Sequence, residues 1–320
     1  MSRAKPPPSP LRRARRHSIC TAVAGLALTV GIVAGCGGSG RPGASPLPTK
    51  TGRGTTTAAS RSARLPGLGP QRCAPPFHAG AWPGACWRPF GARSPFNQEL
   101  PAHPRLASGS AELARHLTAQ GGPSPLQLGT ARTSSDYDHP VYFAGRHDPV
   151  YRVHCTRSEW GRCEIEGQRV RIPPKARPAG GSDHHLAVVD QAAGWEYDLW
   201  QVLSIPPHGG VLTASWGGRA RAGRRGTGLR SDATAAQFAL SAGIVRAPEL
   251  AAGRVNHALF VRVSCDSGAF VFPAAGRGSR CSDTAAAPPE GTRFQLAMSD
   301  REIDALGMPH WKQEIAAKKV

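Results

Sequence analysis

A chain of 320 residues that is 40% hydrophobic can bury a core of domain size, and its formal net charge of +19 raises the question of a nucleic-acid partner. Where the charge sits argues against one: residues 1–98 hold 14 Arg and Lys and no Asp or Glu, which leaves only +5 for the rest. The remainder has no basic stripe interleaved with aromatics and no nucleic-acid motif, so no nucleic-acid partner is expected.

The first element is a targeting segment, residues 1–35. Arg12, Arg13, Arg15, Arg16 and His17 form a basic region ahead of an apolar run from Ile19 to Val33, which is short for a comfortable membrane span. It ends in Val33-Ala34-Gly35-Cys36, which resembles the lipobox of bacterial lipoproteins. The resemblance implies cleavage before Cys36, a lipid on that cysteine, and a place on the outer face of the cytoplasmic membrane. Arg15-Arg16 also suggests a twin-arginine signal, but the residues after the pair match that pattern poorly. Residues 36–72 are Gly, Ser, Thr, Pro and Arg with almost nothing to bury, and read as a disordered tether.

With Cys20 in the signal and Cys36 lipidated, six of the 8 cysteines remain. An even number in an exported chain reads as disulfides, and the local pairs Cys73–Cys86, Cys155–Cys163 and Cys265–Cys281 would each staple a loop. No Cys-x-x-Cys occurs, so no zinc site and no cofactor is expected.

Residues 73–320 read as a single domain, densely punctuated by Pro and Gly. Strand-like runs fall at Pro140–Ala144, Val150–His154, Gln168–Ile172, Leu186–Asp190, Trp195–Val202, Val211–Trp216, His257–Ser264, Ala269–Phe272 and Arg293–Ala297. Short helices are expected at Ser110–Thr118, within Ala233–Ala242, and as two in the tail, where Ser299-x-x-Glu302 makes a capping box and Pro309 opens a further helix. The pattern predicts an all-β chain, a β-sandwich or jelly roll with a few short helices, stapled by disulfides.

The sharpest stretch is Ser182 to Val202, read as a hairpin whose turn, Gln191-Ala192-Ala193-Gly194, ends on a glycine free to take positive φ. That turn sets Val189 opposite Glu196, Ala187 opposite Asp198, His185 opposite Trp200 and Asp183 opposite Val202. Alternation then gathers Asp183, His185, Glu196, Asp198 and Trp200 on one face and Leu186, Val188, Tyr197 and Leu199 on the other. Carboxylates two apart on a strand lie about 7 Å apart, within reach of the separations used in glycoside hydrolysis. Glu196 would be nucleophile or base, Asp198 would tune it, and His185 or Asp183 would supply the proton, while Trp200 stacks on a sugar. The opposite reading is an ordinary polar sheet face.

His257, in phase with Leu259, Val261 and Val263, reads first as a core histidine and second as a substrate contact or, with His185 and a carboxylate, a weak metal set. The Gly- and Arg-rich stretch Trp216–Arg230 reads as a mobile basic loop in which Arg221, Arg224 and Arg225 could hold anionic sugar groups.

The segments Ser94-Pro95-Phe96-Asn97, Ser182-Asp183-His184-His185-Leu186, Glu196-Tyr197-Asp198-Leu199-Trp200, Ala242-Gly243-Ile244-Val245-Arg246 and Asn256-His257-Ala258-Leu259 together resemble a family of exported actinobacterial proteins. That family often continues into a Tyr-Gly-Met segment, so a C-terminus truncated at Val320 is expected. Glu196-x-Asp198 is also similar to the Glu-x-Asp-x-Glu strand of jelly-roll β-glucanases, with Trp200 where the acid/base would stand. Two function classes follow: a lipid-anchored surface enzyme acting on extracellular or cell-wall polysaccharide, foremost a glycoside hydrolase with a polysaccharide lyase as variant, or a non-catalytic glycan-binding lipoprotein.

Overall fold

The computed structural model describes residues 71–78, 81–101, 104–121, 137–263, 266–278, 280 and 287–316. All of these fall in one of the two units into which the chain divides, Ala59–Val320. The signal segment, Cys36 with most of its tether, and Cys265 and Cys281 lie outside the described residues.

The strands, in chain order, are β1 (Gln71–Arg72), β2 (Trp82–Pro83), β3 (Val141–Ala144), β4 (Val150–Cys155), β5 (Arg169–Arg171), β6 (Leu186–Asp190), β7 (Trp195–Ser204) and β8 (Gly210–Arg221). The helices are α1 (Ser110–Gly121), α2 (Ala247–Ala251), α3 (Asp300–Ala305) and α4 (His310–Ala316). Six strands form one mixed sheet in the order β3-β6-β7-β8-β4-β5, and β1 and β2 form a separate pair. The chain is therefore β-rich with few and short helices. A sandwich or jelly roll would add a second sheet facing this one; among the described residues the only other ladder is β1–β2.

β6 explains its own sequence. It runs antiparallel to β7 on one side and parallel to β3 on the other, and all five residues are buried. Burial on both faces requires the continuous run Leu-Ala-Val-Val rather than alternation. Asp190 closes the strand; its Oδ1 accepts from the N–H groups of Ala192 (3.2 Å) and Ala193 (3.0 Å), and Arg171 pairs with Oδ2 at 3.3 Å. Gly194 takes φ +72° at the end of the turn.

The core on one side of the sheet contains Leu186, Val188, Tyr197, Leu199, Val153 and Val170, with Ile165 and Ile172 brought in from loops. Each aliphatic side chain removed from water here contributes about 1.5–3 kcal/mol. Gly217 on β8 leaves the space Ile165 occupies, since a Cβ there would stand 2.5 Å from Ile165 Cδ1. A second cluster joins Phe90, Phe96, Ala220, Ala239 and Ala242, and a third joins Phe77, Trp87, Phe143 and Val189.

Several expectations need correcting. The stretch Ala233–Ala242 forms turns and a single 3-10 turn, Leu240–Ala242, rather than a helix; Gln237 takes φ +58°, which a helix does not allow. Residues 257–263, 269–272 and 293–297 form no strands. They make isolated links such as Ala258 N to Phe96 O (2.7 Å) and Phe260 N to Gly243 O (2.9 Å); Ala258 and Phe260 pack on the second cluster, while Val261, Phe272, Phe294 and Leu296 are exposed. The tail agrees with its sequence: Ser299 caps α3 with Glu302 in a capping box, and α4 follows Pro309. The Cys73–Cys86 and Cys155–Cys163 disulfides are present, with Cα separations of 5.2 and 6.4 Å.

Candidate functional site

The hairpin register matches the one expected over its strands, with Val189 opposite Glu196 and Ala187 opposite Asp198. It departs beyond Leu199. His184 (φ +38°) and Gln201 (φ +49°) turn the strand ends, and Gln201 N donates to Asp183 O at 2.8 Å, so Asp183 meets Gln201 rather than Val202.

The expected single polar face is divided into two parts. Glu196 and Asp198 are 1% and 0% exposed. They lie beneath the chain segment 231–242 and not in an open cleft, because that segment packs directly on the sheet. Ser241 donates to Glu196 Oε1 through its N–H (2.8 Å) and to Oε2 through its hydroxyl, and Ser231 Oγ donates to Asp198 Oδ2. Gly218, the cross-strand partner of Asp198, makes this close approach feasible: a Cβ there would stand 1.9 Å from the backbone N of Asp232. Burial pushes the Glu196 carboxyl above its ordinary range, against the pull of the Ser241 donors. Burial and then the Glu196 charge push Asp198 well above its own. Asp198 Oδ1 meets no donor in the chain, and a proton held there and shared with Glu196 satisfies both groups.

The other part lines an open groove of about 960 Å³ between the sheet and the C-terminal loops. Asp183, His185 and Trp200 are on its wall, joined by Trp160, Trp216 and Asp232. Trp200 and Trp216 are cross-strand partners on β7 and β8. Each has its indole N–H on a carboxylate, Trp200 on Asp183 (3.3 Å) and Trp216 on Asp232 (2.9 Å). Trp160, 54% exposed, lies over Trp200 with ring centroids 5.2 Å apart and meets the edge of Trp216 at 5.7 Å. It is carried by the loop that the Cys155–Cys163 disulfide closes. The Arg157 guanidinium sits 5.0 Å from the Trp160 ring centre and 5.7 Å from that of Trp200.

His139 and His185 stack edge to face at 4.6 Å farther along the groove. Burial and then the neighbouring His185 bring the His139 pKa down to about 3. Burial also lowers His185, opposed by Asp183 and the Leu199 carbonyl. Both imidazoles are therefore neutral over the ordinary pH range, each with one donor and one acceptor nitrogen.

Four residues assigned to ligand binding from sequence lie elsewhere. His257 is 1% exposed and pairs through Nε2 with Glu249 Oε1 at 3.0 Å, in a core where Arg246 also binds Glu249. Burial alone would raise the Glu249 carboxyl; His257 and Arg246 outweigh it and hold it below the ordinary value. Arg221 belongs to β8 and stacks on Trp195 at 4.5 Å, with Arg219 at the same distance. Arg224 and Arg225 are exposed in the turn that follows, and none of the three lines the groove. The first part of the expected mobile loop is thus strand, because the run Trp216–Arg221 pairs with β7.

Trp160, Trp216, Arg157, His139 and Asp232 were not singled out from sequence. An exposed tryptophan inside a disulfide loop was the available signal for Trp160. Among the described residues no group of three or more His, Cys, Asp and Glu is arranged to hold a metal ion. Comparison with protein-family models, with curated proteins and with solved structures finds no match to this chain.

Proposed function

We propose that the chain is a glycan-binding protein of the cell surface, anchored through a lipid on Cys36 and engaging extracellular or cell-wall polysaccharide with its tryptophan-lined groove. The observation that carries this reading is Trp160 and Trp200 on one wall, backed by the buried Trp216, with Trp200 and Trp216 fixed by N–H bonds to Asp183 and Asp232. Flat, oriented aromatic faces match the apolar faces of pyranose rings, and carboxylates beside them accept hydrogen bonds from sugar hydroxyls. The neutral His139 and His185 add donors and acceptors of the same kind. The lipobox at Cys36, the long tether and the resemblance to exported actinobacterial proteins support the location.

Binding without hydrolysis is the better reading of the two, since Glu196 and Asp198 are enclosed by Ser231 and Ser241 and offer no surface to a glycosidic bond. The test is a glycan array followed by calorimetry. Trp160→Ala and Trp200→Ala should each cost about 1–2 kcal/mol, or roughly five- to thirtyfold in affinity. Glycan turnover abolished by Glu196→Gln with the fold intact would overturn the binding reading in favour of a hydrolase.

A further inference from the structure

The tryptophan cluster already attracts one cation. Arg157 lies over Trp160 and Trp200 at 5.0 and 5.7 Å, and Asp183 and Asp232 are attached to the indoles of the same cluster. Aromatic faces attract cations through the ring quadrupole, and a carboxylate at the rim adds a direct charge partner. Sugar hydroxyls can donate to these carboxylates, but an ammonium gains a charge-assisted bond from them as well. We propose that the groove selects glycans bearing free amino groups, with the ammonium of a de-acetylated amino sugar seated against these tryptophans and beside Asp183 or Asp232.

The inference rests on the groove being the glycan site and adds its specificity. Charged groups line the facing wall as well: Arg262, Arg277 and Arg293 are exposed there, together with Asp266 and Glu290. On the tryptophan wall itself the lining charges are Asp183 and Asp232. Arg157, against the rings of Trp160 and Trp200, is held by Glu159 at 2.5 Å.

The experiment compares a glucosamine hexamer with its fully N-acetylated counterpart by calorimetry on the intact protein at mildly acid pH and low salt. The two share every ring and linkage and differ in the N-acetyl group, which removes the charge on nitrogen. The glucosamine hexamer should bind at least about tenfold tighter, as a desolvated cation over aromatic faces allows, and the advantage should shrink as salt is added. Asp183→Asn and Asp232→Asn should each reduce that advantage several-fold, lowering affinity for the glucosamine hexamer far more than for the acetylated one. Asp232 also accepts from Gln237 at 3.1 Å, so Asp183→Asn, with melting temperature measured alongside, is the variant that decides if Asp232→Asn misfolds.

Equal or tighter binding of the acetylated hexamer would overturn the inference and leave glycan binding intact. Oligolysine bound as tightly as the glucosamine hexamer, with the same dependence on Asp183, would also overturn it, in favour of a peptide ligand. No binding of any glycan, with Trp160→Ala and Trp200→Ala without effect, would instead refute the glycan reading on which it rests.

Discussion

Ser241→Ala removes one hydroxyl and tests the buried carboxyl pair directly. In the native protein Glu196 takes two donors from this one residue, the N–H at 2.8 Å and the hydroxyl, and is 1% exposed. Water cannot replace the lost donor at such a position, so the change removes a hydrogen bond to a charged group worth about 1.5–3 kcal/mol. For a folding unit of this size about 2 kcal/mol corresponds to a fall of roughly 4–8 °C in melting temperature. The loss should depend on pH. Both carboxyls have raised pKa values, so the native state keeps protons that the unfolded chain gives up, and the pair's contribution to stability falls as pH rises from the ordinary carboxylate range through the raised values. Truncating Ser241 disfavours the Glu196 charge further, so the cost should be larger at neutral than at acid pH. Thermal melts of the wild type, Ser241→Ala, Glu196→Gln and the double variant at both pH values form the cycle that isolates the pairing. A melting temperature unchanged by Ser241→Ala, or a loss equally large in the Glu196→Gln background, would refute the reasoning.

Gly218→Ala places a Cβ 1.9 Å from the Asp232 backbone N and should displace the 231–232 segment, lowering both thermal stability and, through the Trp216–Asp232 bond, glycan affinity; native melting and affinity would show that the cover yields freely. His139 titrates near 6.5 in the unfolded chain but at about 3 in the fold, so stability from this site falls as pH drops below 6.5. His139→Gln should flatten the acid side of a urea-denaturation profile by up to about 1.4 kcal/mol per pH unit, and an unaltered slope would count against the burial of a neutral imidazole.

The hairpin was legible because its signals are local: alternation in β7, a valine run in β6 and a glycine closing the turn. The separation of Leu186, Val188, Tyr197 and Leu199 from Glu196 and Asp198 followed from pleat geometry alone. Which surface would be open did not. Ser231 and Ser241 lie 33 and 45 residues beyond their carboxylates, and nothing in a Ser-Asp-Ala-Thr stretch marks it as a lid on a distant strand. Gly218 held the clue in its lack of a side chain, but one glycine among 38 carries little weight until its neighbour is known. His257 is in phase with apolar residues in the sequence, and in the structure it is buried beside Glu249. The groove is long-range in the same sense, since it joins a disulfide loop, two strands and a segment before β3.

The strand order imposes a sequence of events on folding. β6, β7 and β8 are consecutive and form an antiparallel meander closed by short connections, so they can pair soon after they are made. β3, β4 and β5 leave the ribosome earlier, yet β3 pairs only with β6, and β4 joins the main sheet only through β8, where Tyr151 must wait for Gly210. Until then Tyr151 and Val153 have no core to enter. The nascent chain therefore passes through an interval with unpaired apolar edges, and chaperone holding during synthesis matters most in that interval.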